Sequence, residues 1–147
     1  MKNIVFLIFI AIATTTATAQ KSEWQTDLAT AQKIAAKENK SIILVFQGSD
    51  WCAPCIKLDK EIWQDAAFKD LAKDKFVMLQ ADFPRKRANA LSKEQAAANA
   101  KLAETYNKNG VFPFAVVLDS KGKKLGEAGY QKIAPKDYFK ILYNFTK

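Results

Sequence analysis

Apolar runs alternating with polar stretches of helical period divide the chain into a short series of predicted elements. Ser22-Glu23-Trp24-Gln25 has the form of a capping box, with Ser22 as N-cap and Gln25 three residues on. Trp24, Leu28, Ala31 and Ala35 then recur at helical spacing as far as Asn39, which predicts a first helix. Ile42 to Phe46 is continuously apolar and rich in β-branched residues, the signature of a strand covered on both faces. Gly48-Ser49-Asp50 breaks that run, and a helix is predicted from Cys52 towards Asp59 and beyond. Phe76 to Ala81 reads as a second buried strand. Ser92-Lys93-Glu94-Gln95 is another capping box, opening a helix that should end between Asn107 and Gly110. Phe114 to Leu118 and Lys124 to Tyr130 bracket Asp119-Ser120-Lys121-Gly122, a hairpin turn. Pro135 opens a last amphipathic helix carrying Tyr138, Phe139, Ile141, Leu142 and Phe145. Alternation followed by a terminal hairpin predicts an α/β layer structure with a mixed sheet.

The chemistry is concentrated at one point. The chain has two cysteines and no histidine, and the cysteines stand together in Trp51-Cys52-Ala53-Pro54-Cys55. Without histidine there is no Ser-His or Cys-His nucleophile pair. A mononuclear zinc or iron–sulfur site needs three or four soft or nitrogen ligands, and one chain offers two. A lone Cys-x-x-Cys is suited instead to reversible dithiol–disulfide exchange. As a purely structural staple it would close so small a loop that it restrains the unfolded chain by only about 2 kcal/mol.

The N-terminus predicts where that exchange takes place. Lys2 supplies a positive start, Ile4 to Ala13 an apolar run, and Ala17-Thr18-Ala19 a small-x-small cleavage site before Gln20. The run falls short of the roughly 18 apolar residues of a bilayer span. Residues 1–19 are therefore predicted to be a signal peptide and residues 20–147 one domain, periplasmic or secreted, where disulfides persist. An uncleaved anchor is the alternative reading.

Charge adds less. The chain carries +8 at neutral pH; removing Lys2 with the leader leaves 22 basic against 15 acidic residues, a net +7. Such a balance can steer acidic partners, but the lysines are spread along the chain. The densest run, Arg85-Lys86-Arg87, has no interleaved aromatic platform beside it and reads as a solvated loop, with no nucleic-acid partner.

A buried strand, Trp-Cys-x-Pro-Cys, helix, strand, helix, then Val111-Phe112-Pro113 before a hairpin and last helix together resemble the thioredoxin superfamily. The nearest likeness is to exported bacterial thioredoxin-like proteins, and it covers essentially all of residues 20–147. The resemblance implies a mixed four-stranded sheet flanked by helices, with an N-terminal helix. It implies Cys52 as nucleophile, Cys55 as resolving cysteine and Pro113 as a cis-proline facing them. Trp51, Ala53, Pro54, Phe112 and Pro113 would then contact the partner, with Gly129 in a third contacting loop. It also implies no cofactor beyond the Cys52–Cys55 disulfide and no metal. Partners would be protein disulfides or dithiols of the cell envelope, with a membrane electron donor behind a monomeric protein.

Elementary physics supports these roles. A cysteine in the first helical turn meets free backbone N–H groups and the positive end of the macrodipole, both of which favour thiolate. Cys55, three residues on, lies on the same helix side. Pro54 sits where a missing N–H costs little. Trp51 offers a flat apolar surface.

Two features depart from the family pattern. Many thioredoxins carry a buried acid six residues before the first cysteine, where it assists proton transfer to the resolving thiol; that position here is Phe46. The stretch from Asp82 to Asn109 is longer than in a minimal thioredoxin, so it is either a partner-selecting insertion or an ordinary solvated excursion. Ala53-Pro54 lacks the histidine of strong oxidants, which favours a reductant or an intermediate potential. A redox-inactive thioredoxin-fold binding module is the competing function, and a metal-handling role a more distant one. Asp50, Lys57, Asp59 and Glu61 read as a charged solvent face or helix-terminal charges; Asp50 could stabilise the helix start, and would oppose thiolate formation at Cys52 if it approached closely. Trp24 and Trp63 read as packing residues.

Overall fold

The computed structural model describes residues 24–147; the predicted signal peptide and Ser22 lie outside them. β1 (Ser41–Gln47) is one of the two inner strands of a four-stranded sheet of order β2-β1-β3-β4. β2 (Phe76–Asp82) runs parallel to it, whereas β3 (Phe114–Leu118) and β4 (Lys124–Gly129) form an antiparallel hairpin on its other side.

Residues alternate between sheet faces along a strand, and that period assigns each apolar residue to one of two cores. Ile43, Val45, Ala115 and Val117 face a layer made by α2 (Ala53–Leu58), α3 (Ala66–Ala72) and α5 (Pro135–Asn144). Ile42, Leu44, Phe46, Val116 and Leu118 face α1 (Leu28–Glu38) and α4 (Lys93–Tyr106). With helices on both sides, all of Ile42 to Phe46 is buried, which is why β1 reads as an unbroken apolar run. Trp63 anchors the first layer, meeting Trp24, Phe68 and Tyr138 edge to face. Trp24 and Trp63 are packing residues, as expected.

The start of the first helix is a correction. It begins at Leu28, not after Ser22, because Asp27 caps it: one carboxylate oxygen accepts both Thr30 N and Thr30 Oγ at 2.7 Å. Gln25 is extended and pairs with the edge of β2, donating its N–H to Met78 O and accepting from Gln80 N. Trp24 is thereby free to pack on Trp63.

The helix after the cysteines also departs from a simple reading. Past Leu58 it widens into a π-turn over Asp59–Trp63, and Leu58, Ile62 and Trp63 all face the core. An i to i+5 turn brings residues five apart onto one face, as an α-turn does not. α3 is a separate helix, capped by Asp65, whose Oδ1 accepts from Ala67 N and Phe68 N. At α4 the capping box is half realised. Ser92 Oγ accepts from Gln95 N, but the Gln95 amide turns away to Thr26 O and Asn99 Oδ1.

Candidate active site

The site lies beyond the carboxyl ends of β1 and β2, where loops rather than strands set the geometry. Gly48 O accepts the N–H of both Trp51 and Cys52, folding Gly48-Ser49-Asp50 into a tight turn that delivers Cys52 to the N-cap of α2. A Cβ on Gly48 would lie 2.3 Å from Cε2 of Trp51, so the indole needs glycine there. Asp82, paired with Gln47 in the sheet, accepts from Ser49 N and Ser49 Oγ and holds the turn from the neighbouring strand.

Cys52 and Cys55 form a disulfide, with Cα atoms 5.2 Å apart. The Cys55 N–H points at Cys52 Sγ at 3.3 Å. The first helical turn therefore presents a donor to that sulfur. Cys52 is 4% exposed and Cys55 3%. Both cysteines are thus nearly covered, while Ala53 and Pro54 between them stand exposed.

Across from the motif the Phe112–Pro113 peptide bond is cis, as the resemblance implied. Pro113 is buried at the start of β3, and Phe114 beside it pairs with Gly129 of β4. Gly129 O accepts from the Tyr138 hydroxyl at 3.0 Å, and a Cβ on Gly129 would meet nothing within 4 Å. Burial pushes the Tyr138 phenol well above its ordinary range, so it stays a neutral donor. The rim is aromatic: Trp51 meets Phe112 at 5.7 Å and Phe83 meets Phe112 at 5.5 Å between ring centroids. Ile56 and Val111, 49% and 45% exposed, flank the motif and the cis-proline.

Sequence reasoning did not find the residues that hold Trp51 in place. Its indole N–H donates to Phe83 O at 2.7 Å, and the Arg85 guanidinium lies over its ring at 3.7 Å. Asp50 is the second surprise. Its carboxylate turns to the segment after β2 and accepts from Arg85 N, Lys86 N and Asn89 Nδ2. The N–H of Arg85, then the Asn89 amide and Lys86, hold its carboxyl below the usual carboxylate range. Asp50 thus serves the loop, not the helix start. These partners lie more than thirty residues away, and no local pattern marks them.

Phe46, six residues before Cys52, is fully buried, with its ring 6.4 Å from that of Phe114. Among the described residues Asn99 and Asn107 are buried and no carboxylate is.

This chain belongs to the thioredoxin-like family, whose model matches residues 23–120. It is similar to the disulfide bond reductase DsbH of Chlamydia pneumoniae, 36% identical over 113 residues. That match covers 77% of this chain and 66% of the relative, just under two thirds of its length. A solved structure described as DsbH oxidoreductase superposes with a TM-score of 0.77 at 30% identity, covering 94% of each chain. The disulphide isomerase of Xylella fastidiosa Temecula1 matches with a TM-score of 0.59 at 21% identity. It covers 80% of this chain and 87% of its own, a likeness of fold alone. The chain is thus a homologue of Dsb-type thiol–disulfide oxidoreductases and holds a Cys52–Cys55 disulfide at the start of α2.

Proposed function

We propose that this protein is an extracytoplasmic protein thiol–disulfide oxidoreductase that works as a reductant, with Cys52 as nucleophile and Cys55 as resolving cysteine. The observation that carries the reading is the Cys55 N–H aimed at Cys52 Sγ in the first turn of α2. A donor in that position stabilises thiolate over thiol.

In the reduced protein, the Cys52 thiolate attacks one sulfur of a partner disulfide. The Cys52–partner bond forms, the partner's own S–S bond breaks, and its leaving sulfur departs as thiolate and takes up a proton. Cys55 then gives its proton to water, since no acidic or basic side chain is buried among the described residues, and attacks Cys52 Sγ. The mixed disulfide breaks, the Cys52–Cys55 bond forms, and the partner leaves as a dithiol carrying two electrons. A dithiol donor, membrane-bound or soluble, returns the electrons by the same steps reversed.

With so little of Cys52 exposed, an extended segment is the shape that reaches it. Such a segment can lie along Phe112 and the cis Pro113 as an added strand, against Trp51, Ala53 and Pro54, with Gly129 leaving room on the far side. The exposed Ile56 and Val111 extend an apolar margin for a protein partner. The leader pattern of residues 1–19 and the Dsb relatives support a place outside the cytoplasm, with residues 20–147 as the working domain.

The test is a Cys55→Ser variant, which has no resolving sulfur. It should accumulate mixed disulfides through Cys52 with envelope proteins, released by dithiothreitol; absence of any such adduct overturns the reading. Phe46 and the covered sulfurs favour the second reading, a thioredoxin-fold module that holds a client without turnover. A redox titration with an insulin-reduction assay separates them, since a pure binding module has no turnover and no accessible couple.

A further inference from the structure

The segment from Pro84 to Asn89 carries Arg85, Lys86 and Arg87, all exposed, and none has a carboxylate within ion-pairing distance among the described residues. A run of like charges in a loop ordinarily swings free in solvent. This one is pinned from three sides. Asp50 takes the N–H of Arg85, the N–H of Lys86 and the Asn89 amide, each at 2.9 Å. Phe83 O is tied to the Trp51 indole, and Asp82 O to the buried Asn99 amide at 2.8 Å. The Arg85 guanidinium stacks on Trp51, the residue next to Cys52. The two nearby carboxylates offset part of the charge. Asp50 spends its oxygens on the loop's own donors and Asp82 on Ser49, so the cationic side chains are left for something else.

We propose that the Pro84–Asn89 loop selects partners, taking an acidic extended segment that flanks the partner's disulfide. This rests on the redox reading above and names the class of substrate that site prefers. Carboxylates on the segment meet Arg85, Lys86 and Arg87, the arginines by their bidentate forks, while an apolar residue beside the partner cysteine meets Trp51 and Phe112. Exposed ion pairs add little to equilibrium affinity. Charges fixed beside a reactive atom act instead on encounter, speeding association in a salt-dependent way.

The experiment reads second-order rates of the reduced protein with three synthetic peptides. These carry one identical disulfide flanked by paired Glu, Gln or Lys residues. At low salt the acidic peptide should react on the order of tenfold faster than the neutral one, with the ratio falling towards one at high salt as the charges are screened. In Lys86→Glu/Arg87→Glu the order should reverse in favour of the basic peptide. Lys121→Glu/Lys123→Glu alters net charge equally, at the β3–β4 turn at the opposite end of the sheet, and should keep the acidic preference. Equal rates at low salt overturn the proposal, as does a preference that survives the loop variant or vanishes in the control. A wild-type protein that fails to reduce even the neutral peptide overturns the redox reading, and this inference with it.

Discussion

A carboxylate oxygen of Asp50 accepts the backbone N–H of Arg85 at 2.9 Å, joining residues 35 apart in sequence. Through that bond the turn that presents Cys52 and the loop that follows β2 become one rigid rim. The loop's position therefore depends on a charged group that must stay ionised.

Asp50→Ala should free the loop while leaving the sheet intact. Trypsin cleavage after Arg85, Lys86 and Arg87 should quicken on the order of tenfold, because protection of a surface segment tracks its local opening. In the wild type the Asp50 carboxyl is held below its ordinary value near 3.9. The folded form thus gains from the ionised group above that value and loses the gain as pH falls through the lowered one. The protection of the Arg85 and Lys86 amides from exchange, measured against the intrinsic rate at each pH, should hold at neutral pH and fall only in acid. The variant should show no such acid step.

Gly48→Ala should displace the Trp51 indole. A methyl group there would lie 2.3 Å from Cε2 and 2.4 Å from Nε1, too close for either to stay. Overpacking of this kind costs about 1–3 kcal/mol. Urea unfolding reads that loss, and the indole N–H resonance reads the broken bond to Phe83 O. An unchanged resonance would show that the turn absorbs the methyl without moving Trp51.

The buried Phe46 makes a prediction about proton transfer. With no carboxylate buried among the described residues, the pH dependence of partner reduction should follow thiol ionisation alone, rising once with Cys52. Stopped-flow rates across the pH range check this; a further titrating group on the folded enzyme would mean that some other residue relays the proton.

Legibility in the sequence followed the range of the interactions. β1 and β2 could be read because helices cover both faces of the sheet, leaving continuous apolar runs such as Ile42 to Phe46. The cysteine motif, the Asp119 hairpin and the Ser92 cap are local patterns, and each was found. The start of α1 was missed because the Ser22 pattern is complete on its own, whereas the cap is Asp27, whose hydrogen bonding Thr30 doubles. The π-turn was missed because nothing local distinguishes it; packing of Ile62 and Trp63 on the same core decides it. The roles of Asp50, Asp82 and Phe83 were invisible for a third reason: their partners are brought in by the parallel pairing of β1 and β2. Arg85-Lys86-Arg87 was visible as charge, but its fixed place on Trp51 was not.

Alkylation of the reduced protein at pH 7 is the most direct measure of the nucleophile. An ordinary thiol of pKa near 8.5 is only a few per cent ionised there, whereas one lowered to about 7 is half ionised. Iodoacetamide should therefore label Cys52 about tenfold faster than a free peptide thiol, with Cys55 spared. Labelling at Cys52 no faster than the peptide would contradict a thiolate held by the first turn of α2, and with it the assignment of Cys52 as the attacking sulfur.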